Sequence, residues 1–462
     1  MKNFKILLCS HLFLWIFAIF FLLPTNDDWG YLAAPQINGF TYKSFLPNEL
    51  FWRPVDAFVG LTTTHFPVLF PFLNHLLLVC GLILSSYFLY RILVLLRIKG
   101  EAITISIGIF LVSPATLGTI LGIDSINQMY SVCFGMLSIM LYLINRKNKL
   151  WILAAIFSVF SKENGIVYFI IPPIIGYIND KKTKDNLKMG GYGIIFIMIY
   201  FVLRIGLQTS SIKIEEDSPY AFTIVKKITD IVSFVVGTTS VVDFISLIHK
   251  PSRNIPVVLT TLLISVFFLA QLLRGAKYKI KEKDILLLLL CMCIAASPHL
   301  ATHFGPMHAY STLPFFCMIV AKLLNGNNIL TSHIFRTSFY LFIITAIAVD
   351  WHHWYKTYQS SQVGPIMARE VLSKTEGEPN NVLCIVVKDD YPRFSSFCVP
   401  PRDVFCGGEA VRMETGWTYP KHIKKVNIVT TKDIESTIQE YNGKQYDCVW
   451  VTNKQNVKVI NN

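Results

Sequence analysis

Residues 150–178 read LWILAAIFSVFSKENGIVYFIIPPIIGYI, an apolar run that is interrupted by the polar segment SKENG at 161–165. Basic clusters flank this run, with Arg146-Lys147-Asn148-Lys149 before it and Lys181-Lys182-Thr183-Lys184 after it. Short basic loops of membrane proteins stay in the cytoplasm, so a single crossing would put one cluster on the wrong side. The run therefore predicts two short helices that meet at SKENG, with both basic clusters in the cytoplasm.

Similar apolar runs recur along most of the chain. The 462 residues are 53% hydrophobic and 15% charged, whereas a typical soluble domain is about 25% charged. The sequence predicts a polytopic α-helical membrane protein whose transmembrane domain covers residues 1–350. About 11 transmembrane helices are expected from these runs, at 6–23, 67–90, 102–121, 128–144, 150–160, 165–178, 189–207, 255–273, 285–297, 309–324 and 337–350.

The distribution of basic residues indicates how the chain is oriented. The net charge is +13, and Lys and Arg lie in the short loops between apolar runs, where orientation and contact with anionic membrane lipid account for them. No nucleic-acid partner is therefore expected. We predict an integral protein of the bacterial inner membrane with a cytoplasmic N-terminus and an extracytoplasmic tail. The first run, Ile6–Leu23, lacks a small-residue cleavage site after it and is expected to remain as an anchor.

The tail after Trp351 has a different pattern. Buried strands are predicted at 382–387, 426–429 and 448–451, with helices at 368–375 and 432–441 between them. This alternation predicts a small extracytoplasmic α/β domain over residues 351–462. The tail cysteines, Cys384, Cys398, Cys406 and Cys448, permit two disulfides in three possible pairings. The Pro400-Pro401 turn favours a bond between Cys398 and Cys406.

Residues 223–249 do not fit the pattern of a span. Apolar residues recur there at helical spacing beside Lys226, Lys227 and Asp230. An amphipathic helix at the membrane interface fits this pattern better than a further span, which would upset the charge asymmetry of the loops.

The SKENG turn is the first candidate for function. Helices of about 11 and 14 residues reach only about 16 and 21 Å, so the turn is expected within the depth of the membrane. Polar backbone at that depth is tolerated beside a cavity or packed protein. Lys162 and Glu163 are therefore candidate functional residues. The alternative is an ion pair that caps an ordinary hairpin turn.

The first outside loop, residues 25–66, is the second candidate. It opens with Asn26-Asp27-Asp28-Trp29 directly after the first span. Two adjacent carboxylates at a membrane surface are costly unless they are solvated, metal-bound or catalytic. The loop continues with Asn38-Gly39 and then with Phe51-Trp52-Arg53-Pro54, an aromatic and cationic cluster. A solvated acidic turn is the alternative interpretation of the Asp pair.

The order of these motifs resembles that of the GT-C membrane glycosyltransferases. The Asp pair, Asn38-Gly39, Arg53-Pro54 and Phe72-Leu73-Asn74-His75 are similar to motifs of the polyprenyl- or dolichyl-phosphate-sugar-dependent O-mannosyltransferases, including those with tetratricopeptide repeats. Lys162-Glu163-Asn164-Gly165 resembles their Lys-Glu-x-Gly turn. The resemblance covers residues 1–210 and fades afterwards. The chain departs from the family pattern at Pro306-Met307-His308-Ala309-Tyr310, where the family has a Glu-Arg-Tyr-type loop, and it lacks tetratricopeptide repeats.

The resemblance implies transfer of a sugar from a polyprenyl-phosphate-linked donor to a hydroxyl of a protein, lipid or glycan acceptor. Such transfer needs a base for the hydroxyl and positive charge for the departing phosphate. The implied catalytic residues are Asp27, Asp28 and Asp124, the implied phosphate-binding residues are Arg53, Lys162 and Arg204, and Glu163, His308 and Tyr310 would support them or contact the acceptor. A divalent metal at Asp28 and Asp124 is a possible cofactor. Alternatively, Asp124 caps a helix and Arg204 extends its charged end towards water.

Two other classes of function stay open. A transporter or flippase for a lipid-linked saccharide would share the basic cavity and the apolar helices, although the sequence shows no internal symmetry. A non-catalytic scaffold for the tail domain would leave the charged motifs unexplained. The loop 298–310 also contains His299, His303 and His308, which suggest either a zinc site or the polar lining of a lipid-phosphate cavity.

Overall fold

Helices make up most of the chain that the computed structural model describes. The described residues are 2–24, 28, 41–48, 51–64, 71–209, 224–242, 251–275, 282–301, 306–374, 381–387, 425–441, 446, 448–453 and 456–460. The helices of the first part are α1 (Lys2–Ile19), α2 (Pro54–Thr64), α3 (Phe72–Leu95), α4 (Gly100–Val112), α5 (Pro114–Ile120), α6 (Ile126–Ile144), α7 (Leu150–Ser161), α8 (Ile171–Asp180) and α9 (Thr183–Gly206). They are followed by α10 (Ile224–Thr239), α11 (Pro251–Gly275), α12 (Lys283–Ala301), α13 (Leu313–Leu324) and α14 (His333–Lys374).

Several of these helices have the length and hydropathy of membrane spans. Five stretches in the described part of the chain qualify: Phe72–Leu95, Ile123–Ile144, Thr183–Gly206, Asn254–Gly275 and His333–Gln359. A sixth candidate is α4 together with α5, which bend by 48° relative to each other. The protein is thus a helical membrane protein. The predicted number of 11 spans and their sidedness stay predictions.

The run at 150–178 is broken where SKENG predicted a break. Helix α7 ends at Ser161, a 3-10 helix spans Glu163–Phe169, and α8 begins at Ile171. Lys162 has an extended backbone at the break, and a Cβ atom at Gly165 would lie 2.4 Å from the carbonyl oxygen of Ser158. The close approach of this turn to α7 therefore requires glycine. The depth of the turn in the membrane stays a prediction.

The predicted span at 102–121 is not a single straight helix. It divides at Ser113 into α4 and α5, and the Ser113 side chain accepts a hydrogen bond from the backbone of Ala115. Pro114 lacks an N–H and disfavours helical backbone in the residue before it, which explains the bend.

Helix α9 has an apolar surface that little of the protein covers. Only 11% of the most apolar 18-residue stretch of this helix is buried. Ile194, Met198, Val202 and Ile205 are among its exposed residues. In a membrane protein such a surface faces lipid.

Helix α10 confirms the helix expected within 223–249. Its apolar Ile228 and Val232 are likewise exposed, while Asp230 is buried. Its interfacial position stays a prediction.

Helix α14 runs past the predicted end of the last span. The sequence predicted a span that ends at Asp350 and a separate helix at 368–375, but one continuous helix covers His333–Lys374. The prediction of a separate helix at 368–375 was therefore wrong. The hydropathy falls after Trp351, yet the packing continues, because Trp354 Nε1 donates to the carbonyl oxygen of Ala18 at 2.9 Å.

The tail forms a four-stranded sheet. The strands β1 (Asn381–Val387), β2 (Lys425–Thr431) and β3 (Cys448–Asn453) lie where the sequence predicted them, and the sequence analysis missed β4 (Asn456–Ile460). The order is β2-β1-β3-β4, with β1 parallel to β2 and β3, and β3 antiparallel to β4. Helix α15 (Ile434–Tyr441) follows β2.

The sheet has a small core of its own around Leu383, Ile385, Val449 and Val451. Its place outside the cytoplasm and its independence as a domain stay predictions. The proposed Cys398–Cys406 disulfide lies outside the described residues.

Candidate functional site

Asp28 connects the first loop to the turn between α5 and α6. Its Oδ1 accepts a hydrogen bond from the backbone N–H of Asp124 at 2.9 Å, and the residue is only 2% exposed. These two residues are 96 positions apart in the sequence. Asp28 and Asp124, which were predicted to lie in two separate outside loops, are therefore in direct contact through the backbone of Asp124.

Asp124 lies in a 3-10 turn, Ile123–Ser125, at the start of α6. Its Oδ1 accepts a hydrogen bond from Ser125 Oγ at 3.3 Å, and its carbonyl oxygen accepts one from Asn127 Nδ2 at 2.7 Å. Ser125, and not Asp124, is the N-cap residue of α6. The alternative role of Asp124 as a helix cap is therefore wrong. Instead, Asp28 holds the backbone of this turn.

Arg53 and Glu163 form a second connection between the first loop and the helix ends. Arg53 Nε donates to Glu163 Oε2 at 2.9 Å, and the side chains are 21% and 22% exposed. The backbone N–H of Trp52 donates to Glu163 Oε1 at 2.7 Å. Both carboxylate oxygens of Glu163 are thus bonded to the Trp52-Arg53 segment. Glu163, predicted as a supporting residue, is a direct partner of a predicted phosphate-binding residue.

Lys162 precedes Glu163 in the sequence and interacts electrostatically with residues of both connections. It is 9% exposed, and the charges of Arg53, Asp124, Glu163 and Asp56 all act on it electrostatically. We call the set Asp28, Arg53, Asp56, Asp124, Lys162 and Glu163 the charged cluster. Its members come from the first loop, from the start of α2 and α6 and from the SKENG turn, which are far apart in the sequence.

Sequence analysis missed Asp56 as a member of this cluster. It is an acidic residue in the first turn of α2, and its Oδ2 lies 3.4 Å from Asn127 Nδ2. An acidic residue three positions after Arg53 was the available signal. It was overlooked because acidic residues in a first helical turn are common for helix-dipole reasons alone.

Arg204 lies beside the charged cluster, behind an aromatic layer. Its Nη1 donates to the hydroxyl of Tyr200 at 3.3 Å, and the Tyr200 ring stacks on Trp52 at 5.2 Å between centroids. Trp52 Nε1 in turn donates to the carbonyl oxygen of Phe45 at 3.0 Å. Trp52 and Tyr200 are both 6% exposed. Arg204 is therefore connected to the Arg53 segment through two rings: Trp52, which belongs to the aromatic and cationic cluster of the first loop, and Tyr200, which the sequence analysis missed.

His308 joins the SKENG turn through a second histidine. The rings of His308 and His299 stack at 4.5 Å between centroids. Asn164 Nδ2 lies 3.0 Å from His299 Nε2, and Asn164 Oδ1 accepts a hydrogen bond from Ser131 at 3.1 Å. All four residues are buried. A row of polar side chains thus extends from the turn into the helical bundle.

Tyr310 has a different environment from the other candidates. It is 0% exposed, its hydroxyl donates to the sulfur of Met129 at 3.2 Å, and its ring packs at 5.5 Å from that of Phe110. This position in the core does not fit the predicted contact with an acceptor. Asp27, the other predicted catalytic carboxylate, and His303 lie outside the described residues.

The predicted metal at Asp28 and Asp124 stays a prediction. Carboxylate oxygens suit a divalent cation, and Oδ1 of Asp28 is bonded to the Asp124 N–H. Within the described part of the chain, no three His, Cys, Asp or Glu side chains are grouped so that they could hold a metal ion.

Ion pairs also join the loops that were predicted to be cytoplasmic. Arg146 pairs with Asp180, and Asp284 pairs with Lys181 and, at 2.9 Å, with Lys322. Burial alone would raise the pKa of Asp284, but the hydrogen bonds and charges of the two lysines outweigh it, so this pKa lies below its ordinary value. The basic residues of these loops thus hold neighbouring helix ends together.

The fold and the site together define a helical membrane protein with a charged cluster where its first loop meets several helix ends. Comparisons of the chain with protein-family models, with curated proteins and with solved structures found no match.

Proposed function

We propose that this protein is a glycosyltransferase of the GT-C type that moves a sugar from a polyprenyl-phosphate donor to an acceptor hydroxyl on the extracytoplasmic side of the membrane. The observation that carries the proposal is the charged cluster. Arg53 and Asp124, which were proposed from separate motifs, both lie within electrostatic reach of Lys162, and Asp28 is bonded to the backbone of Asp124.

The reaction divides between the cations and the carboxylates of the cluster. The acceptor oxygen forms a bond to the anomeric carbon while the bond from that carbon to the phosphate oxygen breaks. The phosphate leaves with the electron pair of that bond, and Arg53 and Lys162 stabilise its charge. The acceptor proton passes to a carboxylate, which we assign to Asp28 or Asp27.

Helix α9 suits a lipid donor. Its exposed apolar surface, which includes Met198 and Val202, would contact the polyprenyl chain, and Arg204 in its last turn would contact the phosphate. Arg presents a fork of donors that matches a phosphate. In this proposal the protein lies in a bacterial inner membrane, with residues 1–350 as the transmembrane domain and 351–462 as an extracytoplasmic domain.

Transfer of a radiolabelled sugar from a polyprenyl-phosphate donor in reconstituted vesicles tests the proposal. Asp28→Asn is expected to lower turnover by about 10²–10⁴-fold if Asp28 is the base, while the amide oxygen can still accept the Asp124 N–H. Arg91→Ala is a matched control for Arg53→Ala, because Arg91 also lies next to an aromatic ring, that of Tyr87. Wild-type turnover in the Asp27→Asn, Asp28→Asn double variant would contradict the assignment.

A transporter or flippase for a lipid-linked saccharide is the second candidate. The broken run at 150–178 and the polar row of Asn164, His299 and His308 favour it, because broken helices with polar interiors are typical of transporters. Movement of a fluorescent lipid-linked saccharide across vesicles, without any transfer of sugar, would favour this function over the first.

A further inference from the structure

Helices α1 and α14 hold a pair of titratable side chains inside the helical bundle. His11 Nε2 lies 3.1 Å from Asp350 Oδ2, and the two side chains are 2% and 1% exposed. Asp350 lies within the candidate span His333–Gln359. Ionisable residues inside a span are costly and rare, and they are retained mainly where they serve a function. The charged cluster includes neither residue.

The surroundings of this pair are apolar and aromatic. The ring of Trp15 stacks on His11 at 5.9 Å, and the ring of Trp351 meets it edge-on at 6.2 Å. Three buried polar atoms, His11 Nδ1, Asp350 Oδ1 and Trp15 Nε1, have no hydrogen-bond partner among the described residues. A net charge on the pair would therefore have little to stabilise it.

The neighbouring elements add no second charge beside the pair in the described part of the chain. Asp350 is paired with His11 there, and on α14 the buried His353 follows three residues later, with its ring against that of His352. Helix α5 contains no titratable residue. The other described side chains of this kind on α1, on the elements packed against α14 and on the following turn of α14 are exposed or partly exposed: Lys5, Cys9, Glu101, Arg274, Tyr355, Lys356 and Lys458. Lys2 and Arg253 lie in the first turns of α1 and α11.

The number of bound protons sets the net charge of this pair. A neutral His11 with an ionised Asp350 has a net charge of −1. One added proton makes the pair neutral, whether as an ion pair or as two uncharged groups, and a second proton makes the net charge +1. Because an uncompensated charge is costly in a low-dielectric interior, the form with one proton is favoured.

We propose that His11 and Asp350 form an intramembrane proton-binding site that holds one proton and that fastens α1 to α14 while the proton is bound. In the described part of the chain, Trp354 bonds to Ala18 nearer the C-terminal end of α1, and His75 Nε2 lies 3.0 Å from the carbonyl oxygen of Leu22, just after that helix. The His11–Asp350 pair lies near the middle of α1 and connects it to α14 there.

Thermal unfolding of the full chain in lipid nanodiscs between pH 6 and pH 9 tests this proposal. Above the ordinary value of a histidine, about 6.5, the unfolded chain carries neutral His11 and ionised Asp350. The folded wild type then holds one more proton than the unfolded chain, so its Tm is expected to fall as the pH rises. Asp350→Asn keeps the size of the side chain and a hydrogen-bond acceptor but removes this proton.

The comparison of variants removes the contribution of all other titrating groups. The Tm of wild type minus the Tm of Asp350→Asn should fall as the pH rises from 6 to 9. In His11→Gln the decrease of Tm with rising pH, relative to Asp350→Asn, should persist, because the lone Asp350 must then bind the proton itself. In the double variant this decrease should be absent. Trp15→Phe is the matched control, and its Tm should depend on pH as the Tm of wild type does. A difference between wild type and Asp350→Asn that is constant over this range would overturn the proposal. If Asp350→Asn fails to fold, Asp350→Leu, which also removes the proton and suits the apolar surroundings, takes its place in the same comparison, and a constant difference from wild type then overturns the proposal.

Discussion

Arg53 and Glu163 are 110 residues apart in the sequence, and their side chains form an ion pair at 2.9 Å. Together with the bond from the Trp52 N–H to Glu163, this pair attaches the first loop to the SKENG turn. The arrangement places a cation proposed for the donor phosphate beside a carboxylate that holds it in position. Glu163 is thus a positioning residue for Arg53.

A double-mutant cycle can measure the interaction free energy between Arg53 and Glu163. We expect Arg53→Ala and Glu163→Ala to be non-additive in the free energy of unfolding by about 0.5–3 kcal/mol, because each removes the partner of a half-buried charge. Denaturant unfolding in detergent measures the four free energies. Additive effects would show that the ion pair contributes no stability.

Lys162→Ala is expected to weaken donor binding more than it weakens the fold. Lys162 interacts electrostatically with Arg53, Asp124, Glu163 and Asp56. Carboxylates already outnumber cations in the cluster, so removal of Lys162 increases that excess and makes the cluster less attractive to a phosphate. The KM for the polyprenyl-phosphate donor should rise, and Lys162→Arg should restore part of the affinity. An unchanged KM in Lys162→Ala, with its folding intact, would remove Lys162 from the donor site.

Gly193→Ala should disturb the packing of α9 against the end of the 3-10 helix Glu163–Phe169. A Cβ atom at Gly193 would lie 2.0 Å from the carbonyl oxygen of Phe169, whereas one at Gly191 would have nothing within 4 Å. The first substitution is expected to destabilise the protein by about 1–3 kcal/mol. Gly191→Ala, on the same helix, is the matched control and should be neutral or stabilising by up to about 1 kcal/mol. Thermal unfolding of both variants measures the difference in stability. Equal Tm values would contradict the close approach of Gly193 to Phe169.

Asp284 is expected to contribute stability that depends on pH. Its pKa is lowered in the folded state, where the hydrogen bonds of Lys181 and Lys322 outweigh burial. A lowered carboxyl pKa gives stability that is present above the ordinary value, about 3.9, and is lost as the pH falls through the lower folded value. Wild type should therefore lose more stability below about pH 4 than Asp284→Asn does. Thermal unfolding between pH 3 and pH 6 measures this difference, and parallel curves would contradict it.

The helical membrane character and most helix positions could be predicted from local sequence patterns. Apolar runs between basic loops are a local property, because the bilayer demands about 20 apolar residues of a helix that spans it. The break at SKENG was readable for the same reason, since basic flanks on both sides exclude a single crossing. The strands of the tail were likewise evident from short apolar runs.

The contacts between charged residues depend on tertiary packing and could not be predicted from local sequence patterns. Asp28 bonds to Asp124 and Arg53 to Glu163 across about a hundred residues, and no local pattern specifies such pairs. The structure also added Asp56 to the cluster, placed Tyr310 in the core and joined His11 to Asp350. The physical reason is that a local pattern specifies which residues enter a helix, whereas the packing of helix ends specifies which side chains come within hydrogen-bonding distance.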